Sequence, residues 1–269
     1  MRAIETRTIQ SWSHLQDELF LDALDQRLDR FRSPFLFRGM DRATWNLATT
    51  LMRLGGEFAR LERPMLRNFR KYAPNAVVEQ DTVWNWLALA QHHGLPTRLL
   101  DWTFSPLVAV HFAVWKDEHM KEPGAIWMVD SWDVRRYYPE RVEKVARREY
   151  AAGLDVHMLS EVFQSLDQLD EFGDPPIALF FEPPSIDDRI ANQAGVLSVL
   201  SDPGIAMDDW LVTRDVRTIK LVIPPERKWE IRDKLDHCNI NERVLFPGLD
   251  GLSQWLKRYY SPGAGRGKP

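Results

Sequence analysis

The chain of 269 residues has a single cysteine, Cys238, which excludes an internal disulfide and any cysteine-rich metal site. Long apolar runs are missing too. The longest lies in Leu107–Trp115 and is interrupted by His111, well short of the ~20 residues a membrane span needs. The opening residues, MRAIETRTIQ, carry charges and no apolar core, so no secretory signal and no membrane partner are expected, and the expected compartment is cytoplasmic. There is no GxSxG elbow, no HExxH pair, no Walker A loop and no GxGxxG turn. Serine hydrolysis, zinc proteolysis, ATP hydrolysis and Rossmann-type binding therefore have no motif behind them. His92 and His93 are adjacent, which sets them about 100° apart on a helix and prevents them from sharing an ion easily. No metal is expected.

A basic excess is also absent. Lys and Arg number 35 against 39 Asp and Glu, a net charge of −4, which counts against a whole-chain nucleic-acid footprint but leaves room for a local patch. What is present is ordinary globular composition, 44% hydrophobic and 28% charged. Arg outnumbers Lys by 26 to 9. A GC-rich genome gives such a skew, and so does a need for forked contacts to phosphate or carboxylate. The 11 Trp fit either core packing or a flat ligand.

Strands and helices mix without strict alternation, and no long linker divides them. The expected architecture is α+β, one domain over 1–260, with a central mixed or antiparallel sheet flanked by many helices. The pattern predicts helices at Ser11–Phe31, Thr44–Leu54, Phe58–Tyr72 and Asp81–His93, with Gly94 as a cap. A loop is expected over Leu95–Phe104, then a helix opened by Ser105-Pro106. Strands are expected at Phe35–Phe37, Ala125–Val129, Ile177–Phe181, Val196–Leu200 and Thr218–Ile223. Residues 131–171 read as a helical insertion. A short helix capped by Ser185 runs to Asn192, with Gly195 turning it. Helices are expected at Glu226–His237 and Gly251–Tyr260, and 261–269 as a flexible tail.

Chemistry-bearing residues are densest in Gln91–Phe112, QHHGLPTRLLDWTFSPLVAVHF. Here His92, His93, Arg98, Asp101, Trp102, Thr103 and Ser105 fall in a short stretch between helices, a common site architecture. Structural roles compete: Arg98 or Arg38 as an ion pair with Asp101, Trp102 as a core plug, Ser105 as a helix cap.

Phe37-Arg38-Gly39, followed by QHHGLPTRLLDWTFSPLVAVHFAV, resembles the FRG domain family, named for that triplet. Arg189-Ile190-Ala191-Asn192-Gln193-Ala194-Gly195-Val196 and Asn241-Glu242 with Leu245-Phe246-Pro247-Gly248-Leu249-Asp250-Gly251 resemble it as well. The motif order is in turn similar to ADP-ribosyltransferases of the Arg-Ser-Glu type. That resemblance implies an ADP-ribosyltransferase-like fold with NAD as co-substrate. Arg38 would clamp the pyrophosphate and Gly39 would let the backbone approach the cofactor. Thr103 and Ser105 would orient the ribose, Trp102 would stack on the nicotinamide, and His92 or His93 would hold a phosphate or act as a base. Arg98 and Asp101 would line the same site. Glu242, just before Val244-Leu245-Phe246-Pro247, would stabilise the oxocarbenium-like charge, but Arg243 is the residue directly preceding Val244, so Gln193 competes for that position. The resemblance implies an NAD-consuming transferase or glycohydrolase acting on a protein or nucleic acid, with a bacterial toxin or defence role. A non-catalytic nucleotide-sensing module and a nucleic-acid-acting protein are the alternatives. A cleft that joins Arg38, Thr103 and Glu242 would favour the enzyme, and one without a carboxylate would favour sensing.

Overall fold

The computed structural model describes residues 3–74, 77–78, 80–172, 174–185 and 187–262. Ten strands and thirteen α-helices occur among them. The strands are β1 Glu5–Thr8, β2 Leu24–Asp25, β3 Arg30–Phe31, β4 Phe35–Met40, β5 Leu100–Thr103, β6 Gly124–Asp130, β7 Leu154–Asp155, β8 Ala178–Glu182, β9 Gly195–Leu200 and β10 Thr218–Ile223. Eight of them make one mixed sheet in the order β1-β10-β6-β4-β5-β9-β8-β7, and β2 and β3 form a separate hairpin. The outer pairs β1/β10 and β7/β8 are parallel, and the pairs between are antiparallel. The α+β expectation and the mixed sheet hold.

Alternation along the strands assigns the faces. One face carries Leu36, Met40, Leu100, Trp102, Trp127, Ala178, Phe180, Val196 and Leu200, and is covered by α5 Ser131–Arg135, α10 Met207–Thr213 and the segment around Leu47. The other face carries two separate cores. Over β10, β6 and β4 lie α1 Trp12–Leu19, α4 Pro106–Val114 and α11 Pro225–His237. Over β9 and β8 lie α2 Phe58–Tyr72, α3 Val83–His92, α6 Glu140–Arg148, α7 Val156–Val162 and α8 Leu166–Asp170. Between those two cores runs β5. Three further helices, α9 Asp188–Asn192, α12 Glu242–Leu245 and α13 Leu249–Tyr259, complete the chain.

The centre of the sheet is split. β4 meets β5 in a ladder of one pair, Phe37 opposite Thr103, whereas β4 and β6 stay in register over six. Beyond that pair β4 and β5 part, and a gap opens between Arg38 and Asp101. β4 is held instead from behind by α4. A Cβ placed on Gly39 would sit 1.8 Å from the Ala109 carbonyl oxygen, and one on Gly124 would sit 2.2 Å from that of Ala113. Only glycine at both positions lets this short helix lie directly on β4 and β6.

Several sequence expectations are corrected. The helix from Ser11 stops at Leu19. Asp22 and Asp29 take positive φ (51° and 48°), and the chain turns into the β2–β3 hairpin. Leu24 and Leu28, which mimic a helical stripe, are exposed. Thr44–Leu54 forms only a short 3-10 turn at Met52–Leu54. Its backbone is bonded to distant partners, Leu47 N to Asp208 Oδ1 at 3.0 Å and Leu51 N to Thr97 O at 3.1 Å, in place of a helical ladder. The expected loop Leu95–Phe104 contains β5, a central strand. Asp187, rather than Ser185, caps α9, and Gly195 starts β9 while Ala194 takes the positive φ. β1 adds an edge strand that the sequence pattern did not suggest. The tail at 263–269 lies outside the described residues.

Candidate functional site

The gap between β4 and β5 exposes the Asp101 carbonyl, and Arg38 Nη1 donates to it. A side chain thus satisfies an acceptor that a continued ladder would have used. The same guanidinium lies 3.8 Å from the Asp101 carboxylate. Its Nε is buried and has no hydrogen-bond partner. Burial pushes the Arg38 pKa down, Asp101 opposes this, and Arg53 adds to it. An arginine so placed stays cationic at physiological pH, which makes it a charge held at low dielectric and open to an anion.

A cleft of about 160 Å³ opens at this point. Arg38, Arg53 and Lys116 supply its cations, and Trp45, Phe112 and Trp115 its aromatic walls. Arg53 stacks over Trp45, 5.0 Å from the ring centroid, and Lys116 over Trp115 at 5.6 Å. Asp41, also on the cleft, is engaged by His119 Nδ1 at 2.6 Å and leaves Lys116 at 3.9 Å. Across Asp101 lies a second recess of about 110 Å³, lined by His92, Arg189 and Gln193 among others. Gln91 Nε2 donates to Asp101 Oδ2 at 2.9 Å, and both residues line both recesses. His92 Nε2 is 2.8 Å from Asp187 Oδ2, and burial lowers its pKa despite that carboxylate.

The remaining sequence candidates are held mainly by contacts outside the cleft. Gly39 borders the cleft with its backbone, and the side on which a Cβ would sit is filled by α4 at the Ala109 carbonyl. Trp102 is buried in the core at the edge of the second recess, with Nε1 donating to Ser198 Oγ at 2.8 Å and its ring edge-on to Phe180. Arg98 is buried between Glu62 (Nε to Oε2, 2.7 Å) and Asp170 (Nη1 to Oδ1, 2.5 Å) and does not pair with Asp101. Thr103 is buried. Its hydroxyl donates to the Gln193 carbonyl at 2.6 Å and accepts from Ser105 N at 2.9 Å. Ser105 precedes α4 as its N-cap without a side-chain cap bond. The His93 ring meets that of His92 edge-on, with centroids 5.2 Å apart, and lines a separate apolar groove beside Phe69 and Leu89.

Glu242 is 2% exposed and fully engaged. Its Oε1 accepts from Arg232 Nη2 at 2.6 Å and Arg258 Nε at 2.8 Å, and its Oε2 accepts from Arg258 Nη2 at 2.8 Å. Burial alone would raise its pKa. The hydrogen bonds from the two arginines outweigh burial and hold it down to about 2. This carboxylate is the hub of a buried ion cluster and does not line the Arg38 cleft. Gln193 likewise acts as a tie: Gln193 Nε2 donates to Leu245 O at 2.9 Å and Asn192 Nδ2 to Val244 O at 2.8 Å, docking α9 on α12.

Residues 33–122 match the family model of the FRG domain. The chain carries an FRG domain. No curated protein and no solved structure matches it. The matched span holds the Phe37-Arg38-Gly39 triplet, Gln91, Asp101 and the aromatic and cationic groups of the cleft. The motif pieces around Gln193 and Glu242 lie outside it, yet they reach the FRG domain at several points: β9 pairs with β5, Thr103 Oγ1 donates to Gln193 O, and Arg232 joins Glu242 to Asp117. Phe246 stacks on Trp115 with centroids 5.6 Å apart and carries the Arg189 guanidinium 5.0 Å from its centroid. The four pieces therefore converge on the cleft, the last two as buttresses. Sequence reasoning missed Arg53, Lys116, Trp45 and Trp115. Their signal is a cation paired with a Trp, but it spans residues 45–53 or follows the end of α4, and neither spacing is periodic.

Proposed function

We propose that the FRG domain binds a nucleotide in the cleft at the β4–β5 split, with phosphate at Arg38, Arg53 and Lys116 and a planar base against Trp45 or Trp115. One observation carries this reading. Three cations converge on an aromatic-walled recess where Arg38 is half-buried, its buried Nε–H has no acceptor, and the facing carboxylate is a full 3.8 Å away. Charge-assisted bonds to phosphate and stacking on Trp are the two contacts a nucleotide offers. At about 160 Å³ the cleft is smaller than the ~300 Å³ at which ligand pockets usually begin, so a ligand larger than a phosphate-sugar unit extends over Asp101 toward the second recess.

NAD is the ligand that the likeness to ADP-ribosyltransferases implies, and the cations and rings suit its pyrophosphate and bases. Cleavage of its glycosidic bond needs a carboxylate beside the developing positive charge. Glu242 is committed to Arg232 and Arg258, and Thr103 to Gln193 and Ser105. Asp101 is the exposed carboxylate at this cleft, so a glycohydrolase or transferase, the second reading, would work through Asp101. The geometry favours binding over cleavage.

The test is calorimetric titration of NAD, ADP-ribose and ADP into the protein and into its Arg53→Ala and Lys116→Ala variants, beside an assay of nicotinamide release. Each variant is expected to weaken nucleotide binding by roughly 3- to 10-fold, since these exposed cations contribute less than fully buried ones. Binding that neither variant changes, or no binding of any of the three at millimolar concentration, refutes the proposal. Nicotinamide release that Asp101→Asn abolishes would establish the second reading.

A further inference from the structure

Asp101 is a carboxylate in a place built for an anion. It is the outward-facing, exposed residue of β5, whose other three residues are buried. Its backbone carbonyl anchors Arg38, and its carboxylate is held by Gln91 at 2.9 Å and stands 3.8 Å from the Arg38 guanidinium. It lines both recesses, on the crest between the cations of the first and the His92–Arg189 side of the second. An anion bound to Arg38 must therefore sit beside this negative charge, and like charges at such range repel.

The repulsion is selective. A bare polyanion such as pyrophosphate gains Arg38, Arg53 and Lys116 and offers Asp101 nothing. A ligand with hydroxyl donors next to its phosphate turns the same carboxylate into a strong acceptor, because hydrogen bonds to an ionised group are about twice as strong as neutral ones. Gln91 fixes one carboxylate oxygen, and Oδ1 has no protein donor among the bonds of the described residues. We propose that Asp101 is the specificity-determining residue of the cleft, admitting ribonucleotides by accepting a ribose hydroxyl and rejecting inorganic polyphosphate. The inference rests on the nucleotide reading above and deepens it, since it names the sugar as the feature read.

The variant to use is Asp101→Asn, which keeps an oxygen for Gln91 and removes the charge. Asp101→Ala serves as a second variant, and thermal melting checks that both are folded. Calorimetry with ADP, 2′,3′-dideoxy-ADP and inorganic pyrophosphate reads the specificity. In the unsubstituted protein ADP is expected to bind at least 10-fold tighter than either of the others. In Asp101→Asn the pyrophosphate should tighten by 5-fold or more, and the preference for ADP over dideoxy-ADP should fall below 3-fold. Equal affinities of the unsubstituted protein for ADP and dideoxy-ADP, or pyrophosphate binding that the substitution leaves unchanged, would overturn the role of Asp101 while leaving the nucleotide site standing. No binding of any probe by the unsubstituted protein would overturn the nucleotide site and Asp101 with it.

Discussion

Replacing Glu242 by Gln separates a structural carboxylate from a catalytic one. The side chain keeps its shape but loses the charge that neutralises Arg232 and Arg258, both buried. Removing one partner of a buried ion pair costs ~3–5 kcal/mol. The lower end applies, because Arg258 keeps Asp236, with two bonds of 2.6 Å, and Arg232 keeps the half-exposed Asp117 at 2.9 Å. The depressed pKa gives a similar figure. A carboxyl held at about 2 in place of 4.5 stabilises the fold by about 3 kcal/mol at ~1.4 kcal/mol per pKa step. Urea unfolding at pH 7 should therefore show Glu242→Gln less stable by about 3 kcal/mol. Nucleotide affinity should be unchanged below the onset of unfolding. The sign with pH follows: this stabilisation is complete above 4.5 and disappears as pH falls toward 2. A variant as stable as the unsubstituted protein to within 1 kcal/mol, or one that is stable but has lost NAD turnover, would refute the structural assignment.

Gly39→Ala should destabilise by about 3 kcal/mol or prevent folding, because the new methyl meets a backbone carbonyl that cannot rotate away. A normal melting temperature combined with lost nucleotide binding would instead place Gly39 in the site. His111 is buried and neutral, its pKa lowered by that burial to about 4. Its contribution is fully present above the unfolded value of 6.5 and is lost as pH falls toward 4, about 3 kcal/mol in all. Stability measured at pH 7 and pH 4.5 should show most of that loss in the unsubstituted protein and much less of it in His111→Gln. Equal losses in the two proteins would remove His111 as the cause.

The parts of the site that were legible in the sequence are those whose chemistry is local. Phe37-Arg38-Gly39 and Gln91–Phe112 stand out by residue type, and both fall within the FRG match. Gly94 and the Ser105-Pro106 helix start follow from local backbone preference. Roles were harder to read than positions. Trp102 and Arg98 look like ligand contacts in a loop, but that segment holds a central strand, so Trp102 turns into the core and Arg98 is buried beside it. The cation–Trp signal of Arg53 and Trp45 is hard to see because their segment has no regular period, its backbone being bonded to residues ~50 to ~160 positions away.

The sequence alone determined the mixed α+β character, most of the helices, half of the ten strands, and the membership of residues 33–122 in the FRG domain, because periodicity, capping and motif spacing are properties of neighbouring residues. The tertiary structure decided which groups share a site. Whether a carboxylate is free depends on what approaches it from elsewhere in the chain: Glu242 meets Arg258 and Arg232 in a sealed cluster, whereas Asp101 stands at a split in the sheet with Arg38 behind it. Ladder length did the same for the cleft. A single pair between β4 and β5, followed by divergence, opens the space where cations and rings converge, and no run of neighbouring residues encodes where two strands part.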